Sequence, residues 1–435
     1  MKHINGIRIR PLISIVALAS ILFATSGCML DPVVVEDLRS DLEREISPDV
    51  NSTVMKQVVT GNSEFAFRLY QQLNRNDNNL IYSPYSISAV LAMTYAGARG
   101  TTEKEMKETL AFRLPQDDLH PAFNALDLEL ASRSEPFETY KGEQDGPELI
   151  LANALWGQAG HPFLPEFLDL LALNYGAGMQ LIDFQKSPEA ARRAINAWVS
   201  DQTRRRIKDL VPPGSLNTTT RLVLANAIYF NADWASPFER HSTRRDSFNL
   251  LDGNKVVVPM MNQGEIFLYA DGDGFQLIEL PYVKREMVMD ILLPDPGKFH
   301  DVEDALNGSY VSTILHTLDY QSMILTMPKF QFESDFSLSD TLNEMGMPSA
   351  FSSTADFSGM DGARDLEISK VLHKAFISVD EKGTEAAAAS TVFAQVISGL
   401  GPAIEVRIDR PFIFWIRDLP SGTILFIGRV MNPSR

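Results

Sequence analysis

The 435-residue chain contains one cysteine, Cys28, so it has no intramolecular disulfide and no cysteine-based zinc cluster. Its stability must come from packing. Basic residues are outnumbered, 39 Lys and Arg against 56 Asp and Glu, for a formal charge of −17. Such a chain repels phosphate backbones and forgoes the counterion release that drives nucleic-acid binding, so no nucleic-acid partner is expected. A G-x-S-x-G elbow, an H-E-x-x-H pair, a P-loop and a G-x-G-x-x-G turn are all absent. The seven histidines (His3, His120, His161, His241, His300, His316, His373) include no pair at helical ligand spacing. No metal, cofactor or enzymatic turnover is therefore expected, and any triad drawn among the many acidic and hydroxyl residues would be arbitrary.

What is present is an ordinary globular composition, 45% hydrophobic and 22% charged, long enough for about three domains or one large one. Lys2, Arg8 and Arg10 precede an apolar stretch from Leu12 to Ala24, and Ser26 and Gly27 lead into Cys28. This is the three-part layout of a secretory signal, and the stretch is shorter than the roughly 20 residues of a membrane span. Thr25-Ser26-Gly27-Cys28 resembles a bacterial lipobox, which implies a signal over 1–27 and lipidation of Cys28; the alternative is plain secretion after a small-residue cleavage site. Loss of the three basic residues would leave a mature charge of about −20. Met29, rather than Asp, follows the cysteine, which by resemblance to lipoprotein sorting signals points to the outer membrane. Residues 28–60, with Asp37, Asp41, Glu43 and Glu45 among few large apolar side chains, read as an acidic tether.

Beyond the tether, helices are predicted over Ser63 to Leu73, Thr102 to Leu110, Pro165 to Leu173 and Pro188 to Val199. Strands are predicted over Leu222 to Phe230, Val256 to Pro259, Phe275 to Leu280, Met287 to Leu293, Met323 to Phe332, Ile404 to Ile408, Phe412 to Ile416 and Ile424 to Val430. The strands do not alternate with crossover helices, so the pattern favours an α+β fold with large, mostly antiparallel sheets. No internal repeat is visible. Asp271-Gly272-Asp273-Gly274 looks briefly like a calcium loop, but Phe275 takes the third acidic slot and Tyr282 the bidentate one, so it reads as a surface turn. The Arg204-Arg205-Arg206-Lys208 run reads as a solvated helix end.

The most unusual segment is Asp380-Glu381-Lys382-Gly383-Thr384-Glu385-Ala386-Ala387-Ala388-Ala389-Ser390-Thr391, followed by apolar residues to Ile397 and then Ser398-Gly399-Leu400-Gly401-Pro402. By propensity alone, four alanines make a helix. The segment instead resembles the reactive-centre loop hinge of inhibitory serpins. Asn79 to Ser88, Leu224 to Trp234 and Arg410 to Phe414 carry the same resemblance in the right order, from about Gly61 to Pro433. It implies a serpin domain over 61–435, with an exposed loop at about 381–403 that is cut by a protease and then inserts as a central strand of the main sheet.

The resemblance also assigns residues. Glu381, Gly383, Thr384, Glu385, Ala386, Ala387, Ala388, Ala389 and Ser390 form the hinge. Ser83, Ser86, Asn226 and His373 form a polar shutter beneath the opening strands, and Lys329, Trp234 and Glu381 guard the top of the cleft. At period two, Thr384, Ala386, Ala388 and Ser390 share one face of the inserted strand. Spacing from the hinge places the reactive bond at Ile397-Ser398; counting back from Glu405 to Arg407 gives Leu400-Gly401. No Lys or Arg occurs from Gly383 to Val406, so the expected targets are elastase-, chymotrypsin- or subtilisin-like serine proteases, with papain-like cysteine proteases a further class. The expectation is a monomeric suicide inhibitor, exported and membrane-bound through Cys28 or secreted. A non-inhibitory, ligand-binding or chaperone-like serpin is the alternative.

Overall fold

In the computed structural model, residues 34–139, 142–384 and 402–434 are described. Cys28, Glu385 to Ser390, Ile397, Ser398, Leu400 and Gly401 lie outside them. Ten α-helices occur among the described residues: α1 Ser52–Leu73, α2 Pro84–Tyr95, α3 Gly100–Thr109, α4 Gln116–Ser132, α5 Pro165–Tyr175, α6 Pro188–Gln202, α7 Phe299–Asp304, α8 Gly308–Leu315, α9 Ser339–Met345 and α10 Ser358–Asp361. α1 starts where the Asn51 side chain accepts from the Thr53 and Val54 amides, an N-cap that satisfies two orphan donors. α2 has Ser83 as N-cap and Pro84 in its first turn, and all of its residues are buried. A helix packed on every side has no polar face, so periodicity does not reveal it.

Among the described residues the main sheet has seven strands in the order β1 (Glu36–Leu38), β6 (Met179–Ile182), β5 (Glu148–Gln158), β7 (Leu222–Asp233), β15 (Gly383–Thr384), β14 (Lys370–Val379) and β13 (Phe330–Ser337). Alternate β7 residues face opposite layers. Leu222, Leu224, Ile228, Phe230 and Ala232 join the large core that includes α2, whereas Val223, Ala225 and Ala227 pack with Ile195 and Val199 of α6. Cover on both faces explains the nearly continuous apolar run of β7.

A nine-stranded sheet comprises β16 (Ile404–Arg407), β12 (Asp319–Pro328), β9 (Lys255–Gly272), β10 (Phe275–Pro281), β11 (Met287–Pro294), β17 (Phe412–Asp418), β18 (Ile424–Val430) and β2 (Leu80–Tyr82), with β8 (Arg244–Asn249) paired to β9. A separate hairpin joins β3 (Phe137–Thr139) to β4 (Gly142–Gln144).

Two expectations change. The single strand predicted over Met323 to Phe332 is two strands in different sheets, broken at Lys329, whose amide donates to the Pro259 carbonyl. The stretch read as a tether is folded from Glu36 onward: Glu36 to Leu38 pair with β6, and α1 begins at Ser52 rather than Ser63. The Asp271 to Gly274 stretch is the tight β9–β10 turn, with Gly274 at φ +84°. The basic run past α6 is solvent-exposed at Arg204, Arg205, Arg206 and Lys208, as expected of a helix end, with Arg204 pairing with Glu148 at 2.5 Å and Arg206 lying over the Tyr229 ring.

Candidate functional site: the opening line of the main sheet

β7 and β14 run parallel and pair from Val223↔Lys370 up to Ile228↔Ala375. Above that point the chain turns back at Asp380 to Lys382, and Gly383 and Thr384 lie between the two strands. Thr384 is opposite Val379 on one side and Ala232 on the other, and Gly383 is opposite Asp233. A Cβ on Gly383 would stand 2.0 Å from the Ala232 carbonyl oxygen, so only glycine admits this close approach. Thr384 is buried and its hydroxyl meets the Tyr282 hydroxyl at 2.7 Å.

The turn is fixed by its neighbours. The Trp234 amide donates to the Lys382 carbonyl at 2.7 Å, and its indole Nε1 donates to the Asp380 carbonyl at 3.1 Å. The indole also stacks on Tyr282, with ring centroids 4.6 Å apart. Glu381, 5% exposed, accepts from Lys329 Nζ at 2.7 Å and from the Thr243 hydroxyl at 2.8 Å. Burial alone would raise the Glu381 carboxyl; the hydrogen bonds from Lys329 and Thr243 outweigh it and hold the group below its ordinary value. Asp233 is pushed up by burial, against the attraction of Lys382.

Lower down, the β7–β14 ladder pairs Asn226 with His373. Both are fully buried, as are Ser83 and Ser86 at the start of α2. The Ser83 amide donates to His373 Nε2 at 3.1 Å, so that nitrogen is an acceptor and Nδ1 carries the proton, which it donates to Asn226 Oδ1. Asn226 Nδ2 in turn donates to Ser86 Oγ and Asn153 Oδ1, and Ser86 Oγ donates to Asn153 Oδ1 at 3.1 Å. The network joins β5, β7, β14 and α2. Burial lowers the His373 pKa to about 3, so the ring is neutral.

The family model described as Serpin (serine protease inhibitor) matches residues 60–433. The chain belongs to the serpin family. It is 42% identical over 385 residues to an uncharacterized serpin-like protein of Thermococcus kodakarensis, covering 87% of this chain and 86% of that one. It is 37% identical over 396 residues to the human leukocyte elastase inhibitor, covering 87% and 100%. Among solved structures, uncleaved ovalbumin aligns with a TM-score of 0.77 at 27% identity, covering 87% and 100%. Human thyroxine-binding globulin complexed with thyroxine aligns with a TM-score of 0.77 at 31%, covering 87% and 99%.

Of the residues the serpin resemblance assigned, the structure brings Ser83, Ser86, Asn226 and His373 together, and likewise Lys329 with Glu381, alongside Trp234. Glu381 is not in a solvent-exposed pair, because its carboxylate is almost completely covered. Sequence reasoning missed Asn153 and Thr243. The first had a signal: Leu151-Ala152-Asn153-Ala154-Leu155 is nearly a copy of Leu224-Ala225-Asn226-Ala227-Ile228, and the two pair antiparallel with Asn153 opposite Asn226. Thr243 sits in an irregular stretch and had no such signal. Among the described residues, His161, Asp361 and Asp365 form one group close enough to hold a cation, and there His161 Nε2 already pairs with Asp361 at 2.8 Å.

Proposed function

We propose that this serpin is a suicide inhibitor of serine endopeptidases with elastase-, chymotrypsin- or subtilisin-like specificity, and of papain-like cysteine proteases as a further class. The supporting observation is the hinge. Gly383 and Thr384 already stand between β7 and β14, in a register that needs no slip to continue.

Extended downward in that register, Ser390 comes level with Asn226 and His373, and Ala394 with Leu222 at the end of β7. Ala386, Ala388 and Ser390 then share Thr384's face toward the core, where small side chains slide in without steric cost. A cut between Ile397 and Ser398 leaves Gln395, Val396 and Ile397 to carry the acyl-linked protease past the end of the sheet. A cut at Leu400-Gly401 is the alternative.

A central strand makes about two hydrogen bonds per residue but replaces the one per residue that β7 and β14 already share, so the net gain is about one bond at roughly 1 kcal/mol, against about 1–2 kcal/mol per residue of backbone ordering. The margin is small, so relaxation of a metastable native fold supplies much of the drive. The loop offers no Lys or Arg to a trypsin-like pocket, and the human relative is named for elastase inhibition. Export and anchoring through lipidated Cys28 at the cell envelope, at the bacterial outer membrane, complete the proposal, with the protein acting as a monomer.

The test incubates the mature protein with elastase, chymotrypsin, subtilisin and trypsin and looks for a denaturant-resistant adduct by electrophoresis. Adducts with the first three support the reading. Clean cleavage without any adduct indicates the non-inhibitory alternative, and an adduct with trypsin alone overturns the specificity.

A further inference from the structure

Residues 36–45 precede the family-matched segment, which starts at residue 60, yet they are built into the body. Glu36 to Leu38 add an edge strand to β6, where Gln180 also donates to Asp37 at 2.8 Å. Ser40 donates to Asp169 of α5 at 2.5 Å. Arg44 then reaches α4, donating through Nε to Asn124 and through Nη2 to Asp127, each at 2.7 Å. Asn124 returns a bond to the Glu45 carbonyl at 2.6 Å, and the Glu45 amide donates to the Leu173 carbonyl of α5 at 3.0 Å.

The α5–β6 connection is shaped to receive this segment. Gly176 ends α5 at φ +58°, with Arg44 Cδ 3.1 Å from the place of its missing Cβ. A Cβ on Gly178 would lie 2.4 Å from the Leu38 carbonyl oxygen. Beneath Arg44 is a cavity of about 230 Å³ whose wall includes Tyr85, Asp127, Asn153 and Tyr175. Asn153 belongs to the hydrogen-bond network that closes β7 onto β14.

For a strand to enter the main sheet, β7, β5 and β6 must part from β14 and β13 by about 4.8 Å, one strand spacing. The N-terminal segment is bonded to β6 on one side of that opening line. Through Arg44 it is also bonded to α4, which packs on α5 and α2 and also on α1, and α1 packs on α9 and α9 on β14, so the segment resists an opening in which α4 keeps its place with α1 and α9. A shift of one strand spacing between β6 and α4 exceeds the reach of the Arg44 hydrogen bonds.

We infer that residues 36–45 form an intramolecular strap that holds the main sheet closed and so slows its opening in the uncut protein. The consequence for inhibition rests on the loop-insertion reading; the strap itself does not, and the test separates the two.

Hydrogen exchange is measured by mass spectrometry on the uncut full chain, for the wild type, Arg44→Ala and Gly178→Val. One variant removes the strap's anchor and the other pushes the strap off β6. Both are expected to raise exchange at least tenfold in residues 222–228 and 370–375, with residues 404–407 and 323–326 unchanged as an internal control of folding. Faster exchange in 36–45 with the β7–β14 ladder unaltered would overturn the strap. If the ladder responds but elastase, chymotrypsin and subtilisin all cut the loop without forming an adduct, the strap stands and the inhibitory reading falls.

Discussion

Ala232 and Val379 would be ladder partners if the β7–β14 pairing ran on past Ile228 and Ala375, but Thr384 stands between them and bonds to both strands. The sheet is thus open above the Ile228–Ala375 pair, with Gly383 and Thr384 seated at the top of the gap, and closed below by the ladder that includes the Asn226–His373 pair. Entry of further residues requires widening without any change of register.

The first prediction follows from the burial of Thr384, 1% exposed against Tyr282. Thr384→Arg places a guanidinium where desolvation costs several kcal/mol. The variant should be cut by elastase and released, raising the stoichiometry of inhibition many-fold. Full trapping by that variant removes insertion from the mechanism.

Gly383→Val tests the close approach of the hinge to β7. Its side chain collides with the Ala232 carbonyl, so the hinge should leave the sheet and destabilise the native state by about 1–3 kcal/mol. Because Trp234 bonds to both Asp380 and Lys382, its fluorescence should report the departure. An unchanged emission spectrum and denaturation midpoint would contradict this.

Glu381 gives a pH signature. Its folded pKa is depressed, so its contribution is present above its unfolded value of about 4.3 and is lost as pH falls through the lower folded value. Since Lys329 is about one-third exposed, the effect is about 1 kcal/mol. Denaturant titrations should show Glu381→Gln less stable at pH 7 and converging with wild type well below pH 4. A constant difference between the two across that range would place the stabilisation elsewhere.

His373 works over a higher range. A folded pKa of about 3, below the unfolded value of about 6.5, means that stability is full above pH 6.5 and falls as pH drops toward 3. The slope approaches about 1.4 kcal/mol per pH unit for each such group. His120 is lowered to about 3 as well, by burial and then Arg99, and adds a parallel contribution. Protonation of His373 at Nε2 also costs the bond from Ser83, so acid should loosen the β7–β14 ladder. His373→Gln should reduce the acid slope; an identical slope in wild type and variant would exclude this group.

Much of this site is legible in the chain because its residues sit in compact stretches whose order is itself informative. Asn79 to Ser88 supplies the cap and first turn of α2, Leu224 to Trp234 a strand and its exit, and Asp380 to Thr384 the turn between two strands. Period-two spacing groups Thr384 with Ala386, Ala388 and Ser390 on one face, and the burial of Thr384 and its bond to Tyr282 show that its own side chain faces inward. Ile424 to Val430 matches its strand residue for residue, because turn formers bound a short apolar run.

What escaped did so for physical reasons. α2 is buried all round and carries no amphipathic period. The Met323 to Phe332 run is rich in strand formers on both sides of Pro328-Lys329, and the hydrogen bond at Lys329 marks where one sheet ends and the other begins. Residues 36–45 are acidic and polar, as a solvated tether would be. Their order comes from partners more than a hundred residues away on β6 and α5 and some eighty away on α4, which no local pattern encodes.

The central claim is that the segment following Thr384 completes the main sheet once the loop is cut, and that the fold gains stability by it. Calorimetry of intact protein and of protein nicked in the loop tests this most directly. The account predicts that the nicked form melts well above the intact one, whereas superimposable melting curves would contradict it.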